Sequence, residues 1–464
     1  MPVSARYRAD PRWPSLGEGF ADEVTPARFP AHVLRWRNQR HAARVGLDTL
    51  DDAEWIRAFA TFEPLPDNLP RPLALRYHGH QFMTYNPRLG DGRGFLYAQL
   101  RDDRGRLLDL GTKGSGTTPW SRGGDGRLTL KGGVRELLAT EMLEALGVDT
   151  SKTFSLVETG ESLLRFDEPS PTRACVLVRL SHGHVRFGTF QRLAHLGDRA
   201  GMARLLDYAI AHHHPGARGP AELLRAVCAA AGETCGRWMA AGFVHGVLNT
   251  DNMNVTGESF DYGPWRFAPV ADPAFTAAYF DENGLYAYGR QPAAVYWNLE
   301  QLAGALSLLG EPLRGALDGW RAALFAGLSR GTLRRLGLRS AGEAADTALV
   351  AGLYAWLAAT RAPIDRVFFD WYGGVARPSP LDAAYADPRF ADVRATLAAF
   401  APAHPERLDA PYLRRDAPVD ALIDTVEALW AAIDREDDWG PLLRHVEVIR
   451  ELGALLEGPE ARLP

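Results

Sequence analysis

A change of texture near residue 205 constrains this 464-residue chain more than any other feature. Residues 76–205 are rich in glycine and in short apolar runs. FLYAQL (95–100), RLLDLGTK (106–113), ACVLVRL (174–180) and VRFGTF (185–190) read as strands, the last two joined by a turn at SHGH. One helix interrupts them, GGVRELLATEMLEALG (132–147), with Gly147 as its stop. Beyond residue 205, the segments 221–242, 294–310 and 419–436 carry apolar residues at helical spacing. A block of strands followed by a block of helices predicts an α+β architecture, and the length requires more than one packed unit. Residues 1–75, closed by the proline-punctuated stretch 64–72, read as an N-terminal extension. Residues 76–205 read as a strand-rich unit with one main helix, and 206–464 as a larger helical unit.

Charge and cysteine usage exclude several function classes. A net charge of -5 gives no broad basic surface for nucleic acid. No apolar run reaches the roughly 18 residues of a membrane span, and the N-terminus has no apolar core of a signal peptide. Cys175, Cys228 and Cys235 form no metal-binding spacing and read as reduced, buried thiols of a cytoplasmic protein. The wealth of Ala, Arg, Gly and Leu suggests a bacterial source.

Three stretches in the first half carry anion-binding chemistry. In GDGRG, Gly90 and Gly92 allow close backbone approach, successive N–H groups form a nest, and Arg93 adds a forked cation. Asp-Gly is also a strong turn signal, so a plain hairpin turn is the competing reading. Lys113 ends a strand and opens a flexible loop in which Asp125 and Gly126 form a second GDG. That lysine can reach a phosphate, although a polar surface loop accounts equally for the composition. If SHGH is a four-residue turn, Arg179 faces Arg186 across a hairpin. Facing like charges repel, and a bound anion would relieve them. Two splayed, solvated arginines are the alternative.

The segment FVHGVLNTDNMNVTGESFDYG (243–263) follows the long helix 221–242. Protein kinases place H-R-D-x-x-x-x-N and then a D-x-G turn at this point. His245 and Asn252 keep the seven-residue offset, and Asp261 opens the D-x-G. Asn252 and Asp261 offer hard oxygen ligands that suit a divalent cation bridging phosphates. Val247 stands where kinases hold the catalytic aspartate, and the nearest carboxylate is Asp251.

These residues, with YHGHQF (77–82), LGDGRG (89–94), KGSGTTPWSRGGDGR (113–127), VRELLATE (134–141), VRLSHGHVRFG (178–188), FDYGP (260–264) and RQPAAVYWNLEQLA (290–303), resemble the selenoprotein O family, also called YdiU-like proteins. The strings follow the family's order over roughly residues 76–310. The resemblance implies a protein-kinase-like bilobal fold, a strand-rich N-lobe over 76–205 and a helical C-lobe over 206–464. It implies transfer of AMP from ATP to Ser, Thr or Tyr hydroxyls of proteins, the chain itself included, with Mg²⁺ or Mn²⁺ and release of pyrophosphate. By motif, Gly90, Gly92, Arg93, Lys113, Asp125, Gly126, Arg179, Arg186 and Asp261 would bind the nucleotide. Asn252 and Asp261 would hold the metal, and Asp251 would accept the proton. Glu136 would pair with Lys113. A helical wheel does not select it, because Glu136 lies opposite the apolar stripe Val134–Leu138–Met142–Leu146 and Glu141 nearer its edge.

The chain departs from the family in having no cysteine beyond Cys235, where many members end in cysteine or selenocysteine. Residues from about 330 onward match the family poorly and keep helical texture. Rival functions at this point are transfer of UMP from UTP, a kinase passing on the γ-phosphate, and a non-catalytic nucleotide-binding scaffold.

Overall fold

The computed structural model describes residues 1–457 apart from 167, 311 and 312; residues 458–464, the end of the expected helical unit, lie outside the described residues. Ten strands fall in the first 181 residues: β1 (Ala21–Glu23), β2 (Val33–Arg37), β3 (Leu73–Leu75), β4 (Gly79–Gln81), β5 (Thr84–Asn86), β6 (Leu96–Arg101), β7 (Leu107–Lys113), β8 (Leu128–Thr129), β9 (Lys152–Leu163) and β10 (Thr172–Ser181). Seven form one antiparallel path, β1-β3-β6-β7-β10-β9-β2, with β8 added on β10. The β4–β5 hairpin stands apart.

Both faces of this sheet are covered, and the two-residue period of a strand sorts its side chains between two cores. Leu107, Leu156 and Leu177 join one apolar cluster with Val134, Leu137 and Leu138 of the helix Leu130–Ala145. Their neighbours Leu108, Leu110, Phe154, Val176 and Val178 join another with Trp55 and Phe59. Trp55 stacks on Phe154 at 5.0 Å and donates its indole N–H to Ser155 Oγ at 2.8 Å. Each such buried aromatic contributes roughly 1.5–3 kcal/mol. Residues 1–75, expected as an extension, are therefore part of the sheet: they supply three strands and the helix Asp52–Phe59 that covers its second face.

The helix Leu130–Ala145 starts where Thr129 Oγ1 accepts Gly132 N–H at 3.1 Å. It ends beside Gly147, at φ +80°. It has no solvent stripe, because the sheet covers one side and the helix Gly440–Leu456 the other. Glu141 is buried and receives Arg450 at 2.8 and 2.9 Å and Asn38 Nδ2 at 3.3 Å. Lys131 meets Glu427, from the helix Ile423–Glu436, at 2.7 Å.

The hairpin expected from residues 174–190 does not exist. β10 runs to Ser181 and pairs with β7 and β9, leaving Arg179 opposite Gly111 and Thr153. Residues read as its partner strand open the helix Phe187–Leu196, with Arg186 as the N-cap. Val185 and Phe187 are both fully buried in the main core, and Gly188 packs against the His78 carbonyl so closely that a Cβ would sit 2.1 Å from its oxygen. Burial therefore draws this segment off the sheet edge.

The rest is mainly helical, with long helices at Pro220–Ala241, Gln291–Leu306, Trp320–Leu336 and Glu343–Thr360. Pro220–Ala241 stops at Gly242, φ +70°, and leads into β11 (Phe243–Val244), which pairs with β12 (Arg266–Phe267). This short ladder frames residues 245–265. All three cysteines are buried and free of disulfides, and burial pushes the Cys228 thiol up to about 11. Among the described residues no helix is long and apolar enough to cross a membrane.

Candidate active site

Five ionic side chains from five elements converge beside the sheet. Lys113, at the end of β7, meets Glu136 Oε2 at 2.7 Å and Asp261 Oδ1 at 3.0 Å. Arg179, on β10, meets Glu136 Oε1 at 3.4 Å and Asp261 Oδ1 at 3.3 Å. Arg186 approaches Asp261 Oδ2 at 3.8 Å. The two arginines do not face each other across the expected hairpin; one lies on a strand and the other at the start of a helix, and both approach the chain's own Asp261. Burial works against the charge on Asp261, yet Lys113, Arg179, Arg186 and Arg93 hold its carboxyl well below the usual carboxylate range. Its backbone adopts φ +64°, a strained conformation for a non-glycine residue and one found at functional turns.

The loop 245–252 is fastened next to this cluster. His245 Nε2 meets the Phe260 carbonyl at 3.0 Å, which ties the loop to the residue before Asp261. Gln291 Oε1 accepts His245 N–H, and Asn298 Nδ2 donates to the Leu248 carbonyl. Asn252 Nδ2 donates to the Val247 carbonyl at 3.0 Å, and its Oδ1 accepts no hydrogen bond among the described residues. Arg186 Nη1 donates to the Asp251 carbonyl at 2.7 Å, so the same nitrogen touches both Asp251 and Asp261. The Asp251 side chain is buried, and its Oδ1 has no partner among the described residues. Burial raises its carboxyl to about 6, against the pull of Arg186. Glu258, behind the loop, accepts His182 N–H at 2.8 Å, and burial followed by Asp149 raises its carboxyl to about 8.

These oxygens suit a hard divalent cation. The amide oxygen of Asn252 and the carboxylate of Asp261 make a pair of hard donors for Mg²⁺ or Mn²⁺. Among the described residues no group of three or more His, Cys, Asp or Glu could hold a metal alone. A cation here would complete its shell with phosphate oxygens and water.

The two glycine-rich loops are joined to each other. Thr118 Oγ1 donates to the Asp91 carbonyl at 2.5 Å, and Ser121 Oγ to the Gly92 carbonyl at 2.5 Å. Trp120 lies against Gly90, where a Cβ would stand 2.4 Å from the ring, and donates Nε1–H to Asp22 at 2.9 Å. Arg93 is exposed, and its charge reaches Asp261. The Gly126 carbonyl accepts Gly116 N–H at 3.2 Å. Asp125 turns to Arg165 at 2.8 Å and accepts Arg127 N–H at 2.9 Å, with no bond to the Lys113–Asp261 cluster among the described residues.

Sequence reasoning missed several supporting groups. Asp91 accepts Leu75 N–H at 3.1 Å and Arg186 Nη2–H at 3.3 Å, joining the first loop to the arginine. Tyr77 lies under the Arg186 guanidinium at 4.4 Å. The β4–β5 hairpin docks on the 249–252 turn: Thr250 Oγ1 accepts His80 N–H at 2.7 Å, and Asn249 Oδ1 accepts Phe82 N–H at 3.1 Å. For Tyr77 and the hairpin the signal was the string YHGHQF, whose partners on the turn lie 167 and 170 residues away.

Comparison with known proteins adds to this geometry. A sequence model of the family described as Protein adenylyltransferase SelO matches residues 4–374. A "Protein nucleotidyltransferase YdiU" of Gloeobacter violaceus is 45% identical over 454 residues, covering 93% of this chain and 92% of that protein. Proteins of the same name from Synechocystis and Trichormus variabilis are 54% and 51% identical over 308 and 334 residues, covering 64% and 65% of their own lengths. The similarity extends on both sides of the 76–310 expected from motifs, and in the first of these relatives it includes the C-terminal region.

Proposed function

The chain belongs to the SelO family and is a protein nucleotidyltransferase, and from that premise we propose that it transfers AMP from ATP to Ser, Thr or Tyr hydroxyls of proteins, releasing pyrophosphate. The sheet with its helix Leu130–Ala145 is the nucleotide-binding lobe of a protein-kinase-like fold, and the helical region is the second lobe. The Lys113–Glu136 pair, the His245-to-Asn252 spacing and the strained Asp261 turn support that reading.

The observation that carries the proposal is the unpartnered Asp251 Oδ1, held beside Asp261 by the shared Arg186 contact, with Val247 where a kinase keeps its base. Asn252 and Asp261 would hold Mg²⁺ or Mn²⁺, which neutralises phosphate charge when bound. Lys113, Arg179 and Arg186 bind the outer phosphates and stabilise pyrophosphate as it leaves. Gly90, Gly92, Arg93, Asp125 and Gly126 line the nucleotide's path. Asp251 accepts the proton of the incoming hydroxyl while its oxygen bonds to the α-phosphorus and the bond to the bridging oxygen breaks. Self-modification follows if a hydroxyl of another copy reaches the site.

The test is intact-mass analysis after incubation with ATP and Mg²⁺ or Mn²⁺, beside a parallel incubation with UTP. Added AMP, and label retained from α- but not γ-labelled ATP, is the expected result. Addition of phosphate or UMP alone would replace this reading with a rival, and tight nucleotide binding without transfer would favour a scaffold. Asp261→Ala is expected to lose metal-dependent nucleotide binding and all transfer.

A further inference from the structure

The turn that joins β4 to β5 is built from residues its backbone disfavours. Gln81 pairs with Thr84, so Phe82 and Met83 are the whole connection. Both take positive φ, +49° and +63°. Two-residue turns of that kind favour Asn-Gly, because a side chain with a Cβ is strained there. Burial does not account for the choice, since Phe82 is 37% and Met83 48% exposed. Beside them stand Tyr279 and Phe280, 80% and 45% exposed. The ring of Phe82 lies 5.9 Å from that of Phe280, and Phe280 lies 5.1 Å from Tyr279. Three aromatic rings, with Met83 following the first of them in the turn, make an apolar patch open to water. Single exposed apolar side chains are ordinary, but a cluster of them held in strained backbone points to a role outside the fold's own packing.

The patch is fastened to the loop that carries Asp251. Asn249 Oδ1 accepts Phe82 N–H at 3.1 Å and Tyr286 O–H at 2.8 Å, and the Tyr286 ring lies 5.1 Å from that of Phe82. Asp281, buried next to Phe280 in the chain, accepts Leu285 and Tyr286 N–H, both at 2.8 Å, which fixes the turn that presents Tyr279 and Phe280. The other end of β4 reaches the candidate base itself: a Cβ on Gly79 would stand 3.0 Å from Asp251 Oδ1. A strand advances about 3.4 Å per residue, so the three steps from Gly79 to Phe82 set the patch about 10 Å from that carboxylate.

We propose that this patch seats an apolar side chain of the acceptor protein, about three residues along the acceptor chain from the hydroxyl that is modified. The inference rests on the reading of Asp251 as the proton acceptor, which sets where that hydroxyl lies. An acceptor segment bound in extended form covers the same ~10 Å in about three residues, so one segment spans both places. The occupant is polypeptide rather than nucleotide: the cations suited to phosphate gather at Asp261, and none of the four patch residues carries a charge. Aromatic rings beside a flexible thioether accommodate Leu, Met or Phe alike, so the patch selects acceptors by an apolar residue at a set distance rather than by one exact sequence.

The experiment uses the full-length chain with α-labelled ATP and Mn²⁺. Its acceptors are short synthetic peptides with one central serine in a polar background, leucine being placed in turn at every other position. The wild-type chain is expected to label the peptide with leucine about three residues to one side of the serine about tenfold faster, as kcat/KM, than the leucine-free peptide. In Met83→Gly/Tyr279→Ser and in Phe280→Ser that preference is expected to fall below about threefold, while labelling of the leucine-free peptide and the ATP dissociation constant stay within about threefold of wild type. Melting temperatures are expected to hold, because glycine accepts the left-handed backbone and the side chains removed are exposed. A wild-type chain without positional preference, or the same preference in the variants, overturns the inference. So does an equal slowing on every peptide, the mark of a merely structural patch. A change of sedimentation in the variants with the preference intact also overturns it, and would give the patch to a second copy of the chain. A wild-type chain that binds ATP and labels neither peptides nor itself overturns the parent reading of the function instead.

Discussion

Replacing Glu136 by glutamine keeps the shape of the side chain and removes one of only two anions in the five-charge cluster. Its carboxylate is 1% exposed and lies 2.7 Å from Lys113 and 3.4 Å from Arg179. At an effective dielectric constant near 20 those contacts are worth about 6 and 5 kcal/mol before solvation is counted. A neutral amide avoids the several kcal/mol of carboxylate desolvation, but it leaves three buried cations to share Asp261 alone, and a net loss of roughly 3 kcal/mol remains. Urea unfolding of Glu136→Gln without nucleotide should therefore show a clearly lower midpoint at unchanged slope. ATP with Mg²⁺ brings in negative charge at the same cations, so nucleotide protection should be larger in the variant than in the wild type. Transfer should be slower in spite of that protection, because Lys113 has lost the group that aims it. An unchanged midpoint, or nucleotide protection that shrinks along with stability, would refute the charge balance drawn for this site.

Asp251→Asn should retain ATP binding and lose about 10²- to 10⁴-fold in transfer rate, measured with α-labelled ATP; undiminished turnover would remove Asp251 from the mechanism. Arg450→Met should cost about 3 kcal/mol in urea unfolding, since it leaves the buried Glu141 carboxylate without its main partner. Adding Glu141→Leu should restore most of that stability, and a double variant as weak as the single one would contradict the account. The Glu258 carboxyl, raised in the folded state to about 8 from an ordinary 4.5, binds a proton that the unfolded chain has released. Its contribution is fully present below pH 4.5 and is lost as pH rises through 8. Glu258→Gln should flatten the fall in melting temperature across that window.

The parts of the fold legible in the sequence were those with local causes. The strand ending at Lys113 and the helix ending at Gly242 carry their apolar period and their stop within a few residues. VRFGTF misled because alternation of apolar residues also fits the first turn of a buried helix, and the tertiary contact of Gly188 with His78 decides between them. Strands of three to five residues, such as Ala21–Glu23 and Val33–Arg37, are too short to show a period, so the first 75 residues could not be read as part of the sheet. The helical wheel treated Glu136 as solvent-facing because it assumed one covered face. The helix has two, and the second is supplied by residues about 300 positions later. The spacing of His245, Asn252 and Asp261 was readable in isolation, whereas the docking of the β4–β5 hairpin on that loop was not.

The covering of helix Leu130–Ala145 by the helices Ile423–Glu436 and Gly440–Leu456 bears on how the chain is made. During synthesis the sheet emerges from the ribosome long before Arg450 and Glu427 do. Until they arrive, Glu141 and Lys131 lack their partners and an apolar side of the helix faces water, so the nascent first half is exposed to aggregation or to chaperones. The first half thus reaches its final packing only after residues 427–450 have been made.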